Sequence, residues 1–267
     1  MKTKKITALV LALIMLLSLC ACGSQSAATE SPATEAPAES VIPAAEPEEI
    51  TITDMIGREV TVIPGSYKRV ACIGAGALRM YSYIGDVSLL CGVEDIDNTT
   101  LDERPKMFDS VARPYVLAFG DTFSALPSCG VGGPNAQAAE AEKILSCNPD
   151  IVISEYEDVD KENALQEQLG VPVVTLKAGP NGVFDDAFKN TMTMLGTIFC
   201  NEEKAEKLIS FIDSEAAEIA SRTADIKEED KPGVYICGLG NWGTTNQLMT
   251  AQNYISFNIA NVRNVVT

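Results

Sequence analysis

Histidine is absent from the 267 residues. Its absence excludes a Ser-His-Asp triad, histidine general-base catalysis and His-ligated zinc or manganese sites. Positive charge is scarce: 20 Lys+Arg stand against 37 Asp+Glu, a net charge of −17. Such a surface repels phosphate backbones, so nucleic acid is not an expected partner. The eight cysteines contain no C-x-x-C pair, which leaves a zinc ribbon or a thioredoxin-type centre without support. Gly130-Val-Gly-Gly-Pro-Asn135 lacks the Lys-Ser/Thr of a P-loop. Glu94-Asp-Ile-Asp-Asn98 lacks the glycine of an EF-hand loop and reads as a solvated acidic loop. No catalytic residue, metal ligand or cofactor is therefore expected.

What is present starts with an address. Lys2, Lys4 and Lys5 precede a largely apolar run of 14 residues, Ile6 to Leu19. A bilayer-spanning helix needs about 20 apolar residues, so this run suits a signal peptide over residues 1–21. Leu19-Cys20-Ala21-Cys22 resembles a bacterial lipobox, in which Cys22 is acylated and becomes the new N-terminus. Cys20 is the weaker alternative, and a plain secretory signal is the other. Residues 22–49 are rich in Ser, Thr, Ala, Pro and Glu, with little to bury, and read as a disordered tether. The expected location is the outer face of a cell membrane, through a lipid anchor.

The 46% hydrophobic content supports a folded body. Residues 49–53 and 59–63 alternate β-branched and polar residues around Asp54-Met-Ile-Gly-Arg58, which predicts a hairpin. Short apolar runs at Arg69–Gly74, Leu89–Val93, Pro149–Ser154 and Val171–Leu176 predict strands. Helical spacing predicts helices at Ala77–Ile84, Ala136–Ser146 and Asn163–Leu169. Strands alternating with helices imply a parallel α/β sheet. Two longer helices follow, with apolar stripes from Phe184 to Ile198 and from Ala205 to Ile219, broken near Cys200-Asn201. A new strand is expected from Pro232.

Gly74-Ala-Gly-Ala-Leu-Arg79 imitates a dinucleotide fingerprint. Arg79, however, occupies the place of the third glycine, and the tight strand-to-helix turn is the favoured reading. Arg79 itself, near a helix start at a strand's carboxyl end, binds an anionic ligand or makes an ion pair. Trp242, the only tryptophan, stands in the small-residue loop Gly238–Asn246. It stacks on a ligand or packs on the lobe surface.

Several segments in order resemble the ABC-transporter substrate-binding proteins for iron–siderophore, haem and cobalamin. Ile52-Thr-Asp-Met-Ile-Gly-Arg-Glu-Val60 is similar to that family's opening hairpin. Arg69–Met80 is similar to its first strand and helix, and Leu90-Cys-Gly-Val-Glu94 to its second strand. Val131-Gly-Gly-Pro-Asn135, then Glu142-Lys-Ile-Leu-Ser-Cys-Asn-Pro-Asp-Ile-Val-Ile153, is similar to its core. The resemblance implies a two-lobed α/β periplasmic-binding-protein fold. Residues 50–183 form its first lobe, 184–223 its connecting helices and 224–267 part of a second lobe. Only 35 residues follow Pro232, so an incomplete second lobe is expected.

The implied function is capture of a metal chelate, a ferric siderophore first, with corrinoid or haem as alternatives. Delivery to an ABC permease would follow. Arg79, Tyr156 and Trp242 are the expected ligand contacts on the strand-end loops. Glu142 matches the family's permease-docking acid; a solvated helix acid is the other reading. The competing class is an extracellular hydrolase working with two carboxylates.

Overall fold

The computed structural model describes residues 48–106, 109, 113–133, 136, 138–239 and 247–266. Strands β1 (Ile50–Thr53) and β2 (Glu59–Val62) pair antiparallel. Their turn is held from within, because Asp54 Oδ1 accepts the backbone N–H groups of Ile56 and Arg58. The same Asp54 forms an ion pair with Arg58 at 2.8 Å, and both side chains are buried. Arg58 also donates to the Val173 carbonyl, and Thr175 N–H donates to Asp54 Oδ2. The hairpin turn thus fastens onto a strand far along the chain.

That strand is the edge of a five-stranded parallel sheet. Its members are β3 (Val70–Ile73), β4 (Leu90–Glu94), β5 (Ser128–Gly130), β6 (Ile151–Ser154) and β7 (Val173–Thr175). They lie in the order β5-β4-β3-β6-β7, every neighbouring pair parallel. Helices cover both faces, so β3, β4, β6 and β7 are buried at every position. Val70, Cys72, Ile151 and Ile153 enter one core with helices α1 (Ala77–Ile84), α2 (Pro114–Ser124), α5 (Asp186–Phe199) and α6 (Glu202–Thr223). Ala71, Ile73, Val152 and Val173 face the other core, with α3 (Ala141–Ser146) and α4 (Val159–Leu169).

The α5–α6 break falls at Cys200, whose φ of 52° is left-handed. Beyond α6, the described residues contribute β8 (Gly233–Val234), α7 (Ile255–Ile259) and β9 (Arg263–Asn264), with β8 and β9 parallel. The parallel α/β architecture expected from the sequence is the one observed.

Three local expectations change, and two elements are added. The helix expected from Ala136 begins at Ala141. Glu140 has a non-helical backbone, and its side chain turns back to accept the Val131 N–H at 2.6 Å. The helix expected from Asn163 begins earlier, at Val159, because Asp158 caps it by accepting from Lys161 N–H. Helix α2 and strand β5 were not expected. Leu117 is 78% exposed while Phe123 is fully buried, so apolar residues lie on both sides of α2 and its stripe is blurred. The strand expected from Pro232 is only Gly233–Val234.

Candidate functional site

The sheet reverses direction at β3. The chain runs outward through β4 and β5, then returns to β6 on the other side and continues to β7. Ligands of open parallel sheets sit outside the strand carboxyl ends at such a switch point. Here those ends carry Gly74 and Gly76 after β3, Glu94 at the end of β4, and Glu155 directly after β6. Two of the adjoining glycines are required by close approach. A Cβ on Gly76 would lie 2.5 Å from Glu155 Oε2, and one on Gly132 would lie 2.5 Å from Glu94 Oε2. Both residues also have positive φ.

A cavity of about 310 Å³ opens over the carboxyl ends of β3 and β4, on the β3 side of this point, lined by Gly74, Gly76, Arg79, Asp97, Arg113 and Tyr115 among others. Asp97 is its anchor. It is buried, forms an ion pair with Arg113 at 2.7 Å and accepts from the Tyr115 hydroxyl at 2.7 Å. Arg113 also donates to the Ile96 carbonyl. These bonds fix a guanidinium and a phenol at the start of α2. Arg79, one turn into α1, makes no side-chain hydrogen bond or salt bridge among the described residues.

Two carboxyls beside the cavity are strongly perturbed. Burial pushes Glu94 up to about 7, against the pull of the Gly74 N–H that donates to it at 3.1 Å. The neighbouring acids Asp97, Glu140 and Asp95 push it further up. Burial also pushes Glu155 up to about 7, with Arg79 pulling it down and Glu157 pushing it up. Burial raises Asp97 too, while Tyr115 and Arg113 partly offset it.

A second cavity, about 420 Å³, lies between the segment before α3 and helix α4, lined by Tyr156, Ala139, Lys161, Glu162 and Leu165 among others. Glu162 is 2% exposed and accepts from Thr175 Oγ1 at 3.4 Å. Of the residues expected to contact ligand, Arg79 lines the first cavity and Tyr156 the second. Trp242 and Cys22 lie outside the described residues. Glu142 is exposed in the first turn of α3.

The acidic stretch Glu94–Asn98 is not a solvated loop. Glu94, Asp97 and Asn98 are all buried, because Gly74 N–H, Arg113 and Tyr115 supply partners that replace water. Sequence reasoning also missed Arg113 and Tyr115 as cavity groups and Glu155 as a perturbed carboxyl beside them. Pro114, a favoured first helical residue, was the signal for the first two. Among the described residues no group of three or more Cys, Asp or Glu is disposed to hold a metal ion. None of the described helices is long and apolar enough to cross a membrane.

A family model described as periplasmic binding protein matches residues 74–257. Among solved structures, the molybdate-bound periplasmic binding protein MolA of Haemophilus influenzae superimposes with a TM-score of 0.51 at 16% identity, covering 68% of this chain and 56% of that one. A periplasmic solute binding protein from Veillonella parvula gives 0.53 at 22% identity, covering 70% and 52%. The siderophore binding protein BauB, solved with two acinetobactin molecules and ferric iron, gives 0.54 at 16% identity, covering 82% and 70%. The chain thus spans little more than half the length of the first two, and at these identities the likeness is one of fold. A comparison with curated proteins gives no match. The neighbours are solute-binding proteins, and the parallel α/β sheet agrees with their fold. The chain belongs to the periplasmic binding protein family.

Proposed function

We propose that this chain is the extracytoplasmic receptor of an ABC importer, and that it captures a metal chelate and delivers it to the permease. A ferric siderophore is the leading ligand; a corrinoid or haem in the same role is the alternative. The observation that carries the reading is the cavity over the ends of β3 and β4, where Arg79 supplies positive charge, Arg113, paired with Asp97, supplies a fixed guanidinium, and Tyr115 supplies an aromatic side chain. Guanidinium groups suit an oxygen-rich anionic chelate. A chain without histidine suits a metal already wrapped in its own donors. BauB, of similar fold, was solved with such a ferric complex. Tyr156, which lines the second cavity, and Trp242 are the remaining proposed contacts, from the loops after β6 and β8. Cys22 carries the lipid, residues 22–49 tether the body to it, and Glu142 docks on the permease.

The test is a titration read by quenching of Trp242, using ferric enterobactin, ferrioxamine B, cyanocobalamin, haemin and molybdate. Saturable, stoichiometric binding of a ferric chelate with no chemical conversion supports the reading. Binding of molybdate alone, no binding of any probe, or turnover of a bound probe overturns it.

A further inference from the structure

Glu155 stands apart from the other acids of the fold. Its Oε2 is buried and has no hydrogen-bond partner among the described residues. That atom lies against Gly76, a lining residue of the cavity that also holds Arg79 and Arg113. Arg113 is already neutralised by Asp97 at 2.7 Å. The charge that an entering ligand meets at Arg79 is therefore decided by Glu155. When Glu155 is ionised, its charge offsets that of Arg79 without a direct ion pair, and an anion approaching Arg79 meets a poorly solvated negative charge nearby. When Glu155 is protonated, Arg79 is left as net positive charge.

We propose that Glu155 sets the charge the cavity accepts, taking a proton from solvent as an anionic chelate enters, so that capture is coupled to uptake of one proton at this carboxyl. The proposal rests on the chelate reading given above. The step is an acid–base equilibrium: solvent H⁺ adds to the Glu155 carboxylate, and no bond in the ligand forms or breaks. The charged groups facing Glu155 are few. Arg79 faces it from α1, and Glu157 from its own connection, with Glu157 tied to Lys177 at 2.7 Å. Across Gly74 stands Glu94, whose Oε1 is held by the Gly74 N–H. Burial raises the Glu155 carboxyl to about 7 against the pull of Arg79. The proton is thus half-held near neutrality before any ligand arrives, and a bound anion strengthens its hold.

The experiment measures Kd at pH 6 and pH 8 for the full chain and for Glu155→Gln. The probes are ferric enterobactin, an anionic tricatecholate, and ferrioxamine B, a cationic trihydroxamate. Wild-type affinity for ferric enterobactin is expected to weaken about tenfold from pH 6 to pH 8. The glutamine variant is expected to hold the pH 6 affinity at both values. Ferrioxamine B is expected to show no weakening in either protein. A pH-independent wild type, or a tenfold change that survives in Glu155→Gln, overturns the proposal.

A second readout needs no ligand. The difference in proton titration between wild type and Glu155→Gln should have its midpoint near neutrality. A midpoint in the ordinary glutamate range overturns the proposal whether or not either probe binds. If the midpoint is near neutral and neither probe binds, the chelate reading has failed, and the coupling to an anionic chelate falls with it.

Discussion

Glu94 makes the most direct test of how this site is assembled. Its carboxyl is 5% exposed and raised from 4.5 to about 7 by burial, so the folded chain holds a proton that the unfolded chain has released. The sign follows from linkage: the contribution of protonated Glu94 is complete below pH 4.5, and it is lost as pH rises through about 7. At 1.36 kcal/mol for each pKa unit, the shift corresponds to about 3 kcal/mol between those limits. Glu94→Gln removes the titration but keeps an acceptor for the Gly74 N–H, so the connection between β3 and β4 survives.

Urea unfolding from pH 5 to pH 8 at fixed ionic strength is the assay. Equal m-values are required before the free energies are compared. At pH 5 the two proteins should be close in stability. By pH 8 the variant should have gained about 3 kcal/mol on wild type. Glu155 titrates in both proteins and cancels from the difference. A stability difference that stays constant across the range refutes the claim that Glu94 folds with its proton.

The remaining predictions concern other parts of the chain. Asp54→Ala leaves the buried Arg58 guanidinium unpaired and should cost about 3–5 kcal/mol in chemical unfolding; a loss under 1 kcal/mol counts against the hairpin's fastening role. Cys22→Ala should leave the protein unlipidated and shift it from the membrane fraction into the medium or periplasm. Acyl chains mapped by mass spectrometry to another residue would contradict that assignment. Glu142→Ala should leave chelate affinity unchanged and lower permease-dependent uptake severalfold, since an exposed rim charge chiefly guides association. Unchanged uptake would return Glu142 to the role of a solvated helix acid.

The strands were the most legible part of the sequence. β3, β4, β6 and β7 are covered on both faces, so each is written as a short, largely apolar run. The hairpin was legible because Gly57 and Asp54 write a tight turn between alternating residues. Arg79 was legible because it breaks a familiar glycine pattern. Glu94 was misread because a dense run of acids normally faces water. Here the end of a buried strand carries it inward, and the Gly74 N–H that meets it comes from 20 residues away in sequence. Arg113 and Tyr115 were hidden with α2, whose exposed Leu117 blurs the periodicity that would have disclosed the helix. Glu155 gave no local sign at all, since the backbone packed against its Oε2 is Gly76, in the turn after β3.

The fastening of Arg58 to Val173 spans 115 residues of chain. During synthesis the hairpin emerges before the rest of the sheet, and its buried ion pair must wait for the last strand. Until β7 arrives, Asp54 and Arg58 stay hydrated, and β2 lacks the core that buries Val60 and Val62. Loop closure over such a separation is among the slower events of folding. The first strands to be made are therefore among the last to lock.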